Sequence, residues 1–99
     1  MIDVPVWLTR MLVSTNLDFT FRQVLILRAV IDRPRPAHEI ARALACPAAA
    51  VSRSVQRLVR EGMVEVRPVP GDDRAKLVRP TRQMRLSAEK FMGAPLHWT

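Results

Sequence analysis

The sequence predicts a mainly α fold of the α+β class, several helices closed by one small β-hairpin, and three observations carry that expectation. Apolar residues recur at three- and four-residue spacing through most of the chain, the period of amphipathic helices. Residues 39–62, EIARALACPAAAVSRSVQRLVREG, read as two short helices joined by a tight turn. The one stretch of two-residue alternation, Met63-Val64-Glu65-Val66-Arg67, comes directly after Gly62 and ahead of turn residues, as a half-buried strand does.

A first helix is expected over residues 3–15, with Asp3 able to cap and Pro5 in the first turn. Val4, Trp7, Leu8, Met11 and Leu12 form its apolar stripe. A small domain has little with which to cover that stripe. Trp7, Leu8 and Met11, with Phe91, Met92 and Trp98 near the other end, are therefore candidate dimer contacts.

Thr20 and Gln23 have capping-box spacing, and Phe19 and Val24 can staple the same turn. The following run to Ile31 carries Val24, Leu25, Leu27, Val30 and Ile31 and ends before Arg33-Pro34-Arg35-Pro36. So much apolar surface predicts a central core helix. The Arg-Pro repeat is a stiff connector inside one domain.

Ala37–Ala45 is the first helix of the pair, with Ile40, Ala41 and Leu44 inward. Ala45-Cys46-Pro47 is the turn, and Gly62 closes the second helix as a C-terminal glycine does. On that second helix, about 100° per residue puts Val51, Val55, Leu58 and the flanking Val59 in one arc and Ala49, Arg53, Gln56 and Arg60 on the reverse. One side suits a core and the other a partner.

Pro68 and Pro70 restrict the strand after Gly62 to a sheet edge. Gly71-Asp72-Asp73-Arg74 is turn chemistry, and residues 76–79 around Leu77-Val78 are the return strand. Thr81 caps a last helix to about Met92, closed by Gly93 and Pro95. Helix, helix, helix, turn, helix and hairpin is the order of a winged helix-turn-helix over residues 20–92, preceded by a helical segment 1–19 and followed by a tail 93–99.

The residues then resemble the MarR family of bacterial transcription regulators. His38-Glu39-Ile40-Ala41 opens the first helix of the motif, Val51-Ser52-Arg53 lies in the second, and Leu58-Val59-Arg60-Glu61-Gly62-Met63-Val64 leads to the wing. Asp72-Asp73-Arg74 looks like that family's D-x-R wing signature. The resemblance implies a sequence-specific regulator that binds double-stranded DNA, a homodimer on an inverted repeat, and leaves a small-molecule effector open.

Charge points to the same partner. Sixteen Lys+Arg against nine Asp+Glu give +7, and such a balance in a small domain suits a polyanion. Lys76 and Lys90 are the only lysines; the arginine bias suits forked contacts to phosphate and guanine, although base composition of a genome produces it too.

If the second helix of the pair enters a major groove, Ala48, Ala49, Ser52, Arg53 and Gln56 lie within reach of base edges. Arg53 can fork to guanine, Gln56 to adenine, and Ala49 can meet a thymine methyl. Arg57 and Arg60 suit phosphate, with a pair to Glu61 as the plain alternative. In the wing, Arg74 suits the minor groove with Asp72 or Asp73 orienting it, and Lys76, Arg79, Arg82 and Arg85 extend the positive surface.

No catalytic constellation, phosphate loop or cofactor motif is present in the sequence, which argues against an enzyme. His38 and His97 have no metal-site spacing, and Cys46 is the only cysteine, so no metal, no cofactor and no intrachain disulfide is expected. No apolar run is long enough for a bilayer and no leader pattern starts the chain, so a cytoplasmic, nucleoid-associated protein is expected. Two other readings use the same surface: a DNA-binding accessory of phage or plasmid replication or packaging, and an adaptor whose basic face meets an acidic protein.

Overall fold

A computed structural model describes residues 3–94. Among these the order is α1 (Val6–Ser14), α2 (Phe21–Ile31), β1 (Arg35–Pro36), α3 (Ala37–Leu44), α4 (Ala48–Arg60), β2 (Val64–Val69), β3 (Asp72–Pro80) and α5 (Arg82–Met92). The architecture is a winged helix. None of the described helices is long and apolar enough to cross a membrane.

Local chemistry accounts for most of the boundaries. Thr20 and Gln23 form the reciprocal capping box: Gln23 N donates to Thr20 Oγ1 at 3.1 Å and Thr20 N to Gln23 Oε1 at 2.8 Å. The box also explains why Gln23 tolerates burial, because its side-chain oxygen and main-chain N–H both have partners. At the start of α1 the N-cap is Pro5 and no side chain caps the helix. Asp3 is not the cap; its carbonyl instead accepts from Arg28 Nε at 2.9 Å, which ties the chain start to α2.

Both helices of the pair end in a Schellman turn. After α4, Gly62 N donates to Val59 O at 3.0 Å and Met63 N to Leu58 O at 2.9 Å, with Gly62 at φ 72°. After α3 the same pattern joins Ala45 N to Arg42 O and Cys46 N to Ala41 O, with Ala45 at φ 52°. An alanine there carries the steric penalty of the left-handed region that a glycine avoids.

The sheet has three antiparallel strands in the order β1-β3-β2. The third strand corrects the sequence reading: Arg35-Pro36 is not only a connector but pairs with Val78 and Leu77 of β3. Two residues show no period, and a proline donates no ladder hydrogen bond, so nothing local marks them as a strand. Arg35 Nε donates to Ala29 O, which fastens this edge to α2. β2 lies on the other edge, where its prolines can be accommodated.

The hairpin turn is one step earlier than expected. Pro70-Gly71 reverses the chain with Gly71 at φ 81°, and Asp72 already belongs to β3. The register then jumps from Val69↔Asp72 to Pro68↔Lys76, so regular pairing begins at Lys76 and runs to Val64↔Pro80.

One core joins every layer. Leu8, Met11 and Leu12 of α1, Ile26, Leu27 and Val30 of α2, Ile40 of α3, Val51, Val55 and Leu58 of α4, Val64 and Val78 of the sheet, and Met84 and Ala88 of α5 are all buried in it. Thr81 connects its last two parts. Its hydroxyl accepts from Met84 N at 3.1 Å and donates to Gly62 O at 2.8 Å, while its N–H donates to Met63 O at 3.1 Å.

Replacing Thr81 by Ala should lower stability by about 1–2 kcal/mol, read as a shifted urea midpoint at unchanged slope. Ala45→Gly should act in the opposite direction, raising stability by about 0.5–1 kcal/mol in the same measurement.

Candidate nucleic-acid interface

The fold divides α4 into two faces. Ala50, Val51, Ser54, Val55 and Leu58 are buried, a stripe at helical spacing that packs on α2, α3 and the sheet. Ala48, Ala49, Ser52, Arg53, Gln56, Arg57 and Arg60 are all exposed. The seven residues expected from sequence to face a partner therefore do share the outer side of this helix.

Two details differ from the helical-wheel expectation. Helical spacing puts Val59 in the buried arc, but it is 42% exposed, because the sheet leaves a cleft beside it instead of covering it. Ser54, with no expected role, is buried at the close approach of α4 to the core. Small side chains there let the helices come together.

Between α4 and the wing runs a cleft of ≈ 690 Å³. Ser52, Gln56 and Arg60 line one wall, Arg67 and Lys76 the other, and Val59, Val66 and Val78 lie between them. The structure thus brings Lys76 of the wing opposite the outer side of α4. Glu65 and Arg67 also border this cleft, and the sequence reading missed both; strand alternation, which sets residues 65 and 67 opposite Val64 and Val66, turns them away from α4 and gives no signal for that position.

Charge on this surface is only partly compensated. Arg57 Nε lies 3.5 Å from Glu61 Oε1, one helical turn away, with both side chains solvated. Such a pair is worth about 0.3–0.5 kcal/mol and gives way readily to a phosphate. Arg53 and Arg60 have no ion pair among the described residues. Asp72 is exposed at the first position of β3, whereas the side chain of Arg74 lies outside the described residues.

The candidate dimer residues need correction. Leu8 and Met11 are 0% and 2% exposed, and Trp7 and Phe91 are half-buried against the same core. The reason is that α1 and α5 pack on each other, so each covers apolar surface that sequence alone left open. The apolar residues that remain uncovered on these helices are Val6, Val13 and Leu86. Trp98 lies outside the described residues.

Cys46 is half-buried with Sγ 3.5 Å from Leu44 O, and His38 is exposed at the start of α3. Among the described residues no three His, Cys, Asp or Glu side chains come together as a metal site would require.

A family model for the MarR family matches residues 17–75, which include the helix pair and the first part of the wing. The chain belongs to the MarR family. That is a family of regulators and not of enzymes. Solved structures agree: transcriptional regulator Tm0710 from Thermotoga maritima superposes with a TM-score of 0.73 at 26% identity, over 91% of this chain and 63% of that one. A cysteine-to-serine mutant of MarR from E. coli, crystallised with operator DNA, gives 0.68 at 27% identity over 89% of this chain and 62% of that one. The adhesin competence repressor AdcR from Streptococcus pyogenes gives 0.67 at 24% identity, a likeness of fold, over 86% and 63%. The chain thus spans less than two thirds of each of these proteins. A search of curated protein sequences finds no match.

The two faces of α4 should separate on mutation. Leu58→Ala is expected to cost about 2–5 kcal/mol of folding stability, and Arg53→Ala to stay within about 0.5 kcal/mol of the parent, both by chemical denaturation.

Proposed function

We propose that this chain is a sequence-specific, double-stranded-DNA-binding transcription regulator that reads the major groove with α4. The observation that carries this reading is the outer side of α4, where seven polar, cationic or small residues stand exposed beside a cleft whose opposite wall carries Lys76 and the Arg67–Glu65 pair. Its family membership and the likeness to a MarR protein crystallised on its operator support the same partner.

In this mechanism Ala48 and Ala49, at the first turn of α4, let the helix approach the groove floor closely. Ser52, Arg53 and Gln56 then meet base edges, Arg53 by a fork to guanine O6 and N7 and Gln56 by a fork to adenine N6 and N7. Arg57 and Arg60 take phosphate and set the helix in register, and Lys76 with Arg67 does so from the wing side. Arg74 reaches the minor groove, with Asp72 as its neighbour in β3.

The protein acts as a homodimer in the cytoplasm, placing one α4 in each half of an inverted repeat. Val6 and Val13, one heptad apart on α1, and Leu86 on α5 are the exposed apolar residues that a second copy would cover.

Selection of bound duplexes from a random pool tests the reading directly, since it reports binding, preference and site symmetry together. The expected product is a two-fold symmetric site; a pool that emerges without enrichment would sink the proposal. On the selected site, Arg53→Ala should cost about 1–3 kcal/mol and relax the preference at one base position. Lys76→Ala should weaken all sequences alike and lower the salt slope by about 1. Sedimentation velocity should find a dimer at tens of micromolar.

A further inference from the structure

The foot of the wing carries a second cleft. Regular pairing of β2 with β3 runs from Pro68↔Lys76 near the turn to Val64↔Pro80, so Glu65↔Arg79 is the last rung but one before α5. Alternation puts these two side chains on the face of the sheet opposite Val64 and Val78, which are buried in the core. There the strands meet the first turn of α5 in a cleft of ≈ 350 Å³, lined by Glu65, Arg67, Arg79, Arg82 and Arg85.

Among the described residues, none from α4 lines this cleft, and Arg79, Arg82 and Arg85 do not border the cleft beside α4. The sequence groups these three with the positive surface of the wing. Packing gathers them instead where the sheet joins α5.

The cations come from two walls. On the sheet side Glu65 accepts from Nε of Arg79, and its other oxygen lies 3.6 Å from Arg67. That bond uses one of the five N–H donors of the Arg79 guanidinium, so it orients the group and leaves donors for a ligand. On the helix side Arg82 is exposed at the first position of α5, and Arg85 follows three residues on, the spacing of neighbours on one helix face. Glu65 is the one carboxylate lining the cleft against four guanidiniums. Like charges brought together repel, and an anion placed between them relieves the repulsion.

We propose that this cleft binds a diphosphate group, either as free pyrophosphate or at the end of a nucleotide. Two walls of forked donors match two linked phosphoryl groups, one against Arg79 and one against Arg82, whereas a single phosphate meets one wall at a time. The volume is that of a small-molecule site. The inference stands apart from the DNA-binding reading above, which uses α4 and the side of the wing facing it.

Calorimetric titration of the full chain with pyrophosphate, in about 150 mM NaCl, tests it. One site per chain should saturate, and orthophosphate and citrate should each bind at least roughly tenfold more weakly. ADP separates the two sources: binding as tight as that of pyrophosphate assigns the end of a nucleotide, and weaker binding assigns the free anion. R79A/R82A should lose roughly tenfold or more in pyrophosphate affinity, and R82A alone, at an exposed position that touches no core, should lose part of it. R53A/R60A removes the same charge from α4 and should bind pyrophosphate as the parent does. Pyrophosphate held no tighter than orthophosphate or citrate, equal losses in R79A/R82A and R53A/R60A, or undiminished binding in R82A overturns the assignment. So does displacement of pyrophosphate by a duplex carrying the selected site, because the arginines would then be DNA contacts.

Discussion

Burial of one edge of α4 is the constraint on which the rest depends. Val51, Val55 and Leu58 are 1%, 6% and 0% exposed, and each side chain withdrawn from water to that extent contributes about 1.5–3 kcal/mol. The rotation of the helix about its axis follows from where those three must go. A turn of one residue would carry Arg57 in one direction, or Ser52 and Gln56 in the other, into the core, where an unpaired charge or polar group is costly. The outward direction of Arg53 and Gln56 is thus enforced by hydrophobic residues that touch no partner.

The placement of the wing follows from the end of the same helix. The Schellman turn at Gly62 delivers the chain into β2, and Thr81 hydrogen-bonds back to Gly62 and Met63 where β3 gives way to α5. Both ends of the hairpin therefore leave from one point. β1 holds the other side of β3 and is itself fastened to α2 through Arg35. A wing held at its joined ends and along β1 presents Lys76 at a fixed distance from α4, and such preorganisation lowers the ordering penalty when a duplex binds.

α1 and α5 show why exposed apolar surface is difficult to infer from a helical stripe. The stripe alone leaves Leu8 and Met11 facing a partner, yet the packing of α1 on α5 and the common core buries them. The residues left uncovered, Val6 and Val13, lie on the opposite side of α1.

Much of the molecule was legible before any coordinates. The capping box at Thr20 and Gln23, the glycine that ends α4, the proline-marked edge strand and the outward set on α4 are all determined by short-range rules: side-chain capping, left-handed φ and a 3.6-residue period. Those rules act within a few residues, and sequence displays them directly. What only the tertiary structure decided involves residues far apart in the chain. The pairing of Arg35-Pro36 with β3, the mutual cover of α1 and α5 and the exposure of Val59 each depend on which distant segment arrives alongside. A residue's neighbours across space are set by the packing of whole elements, and no local period encodes them.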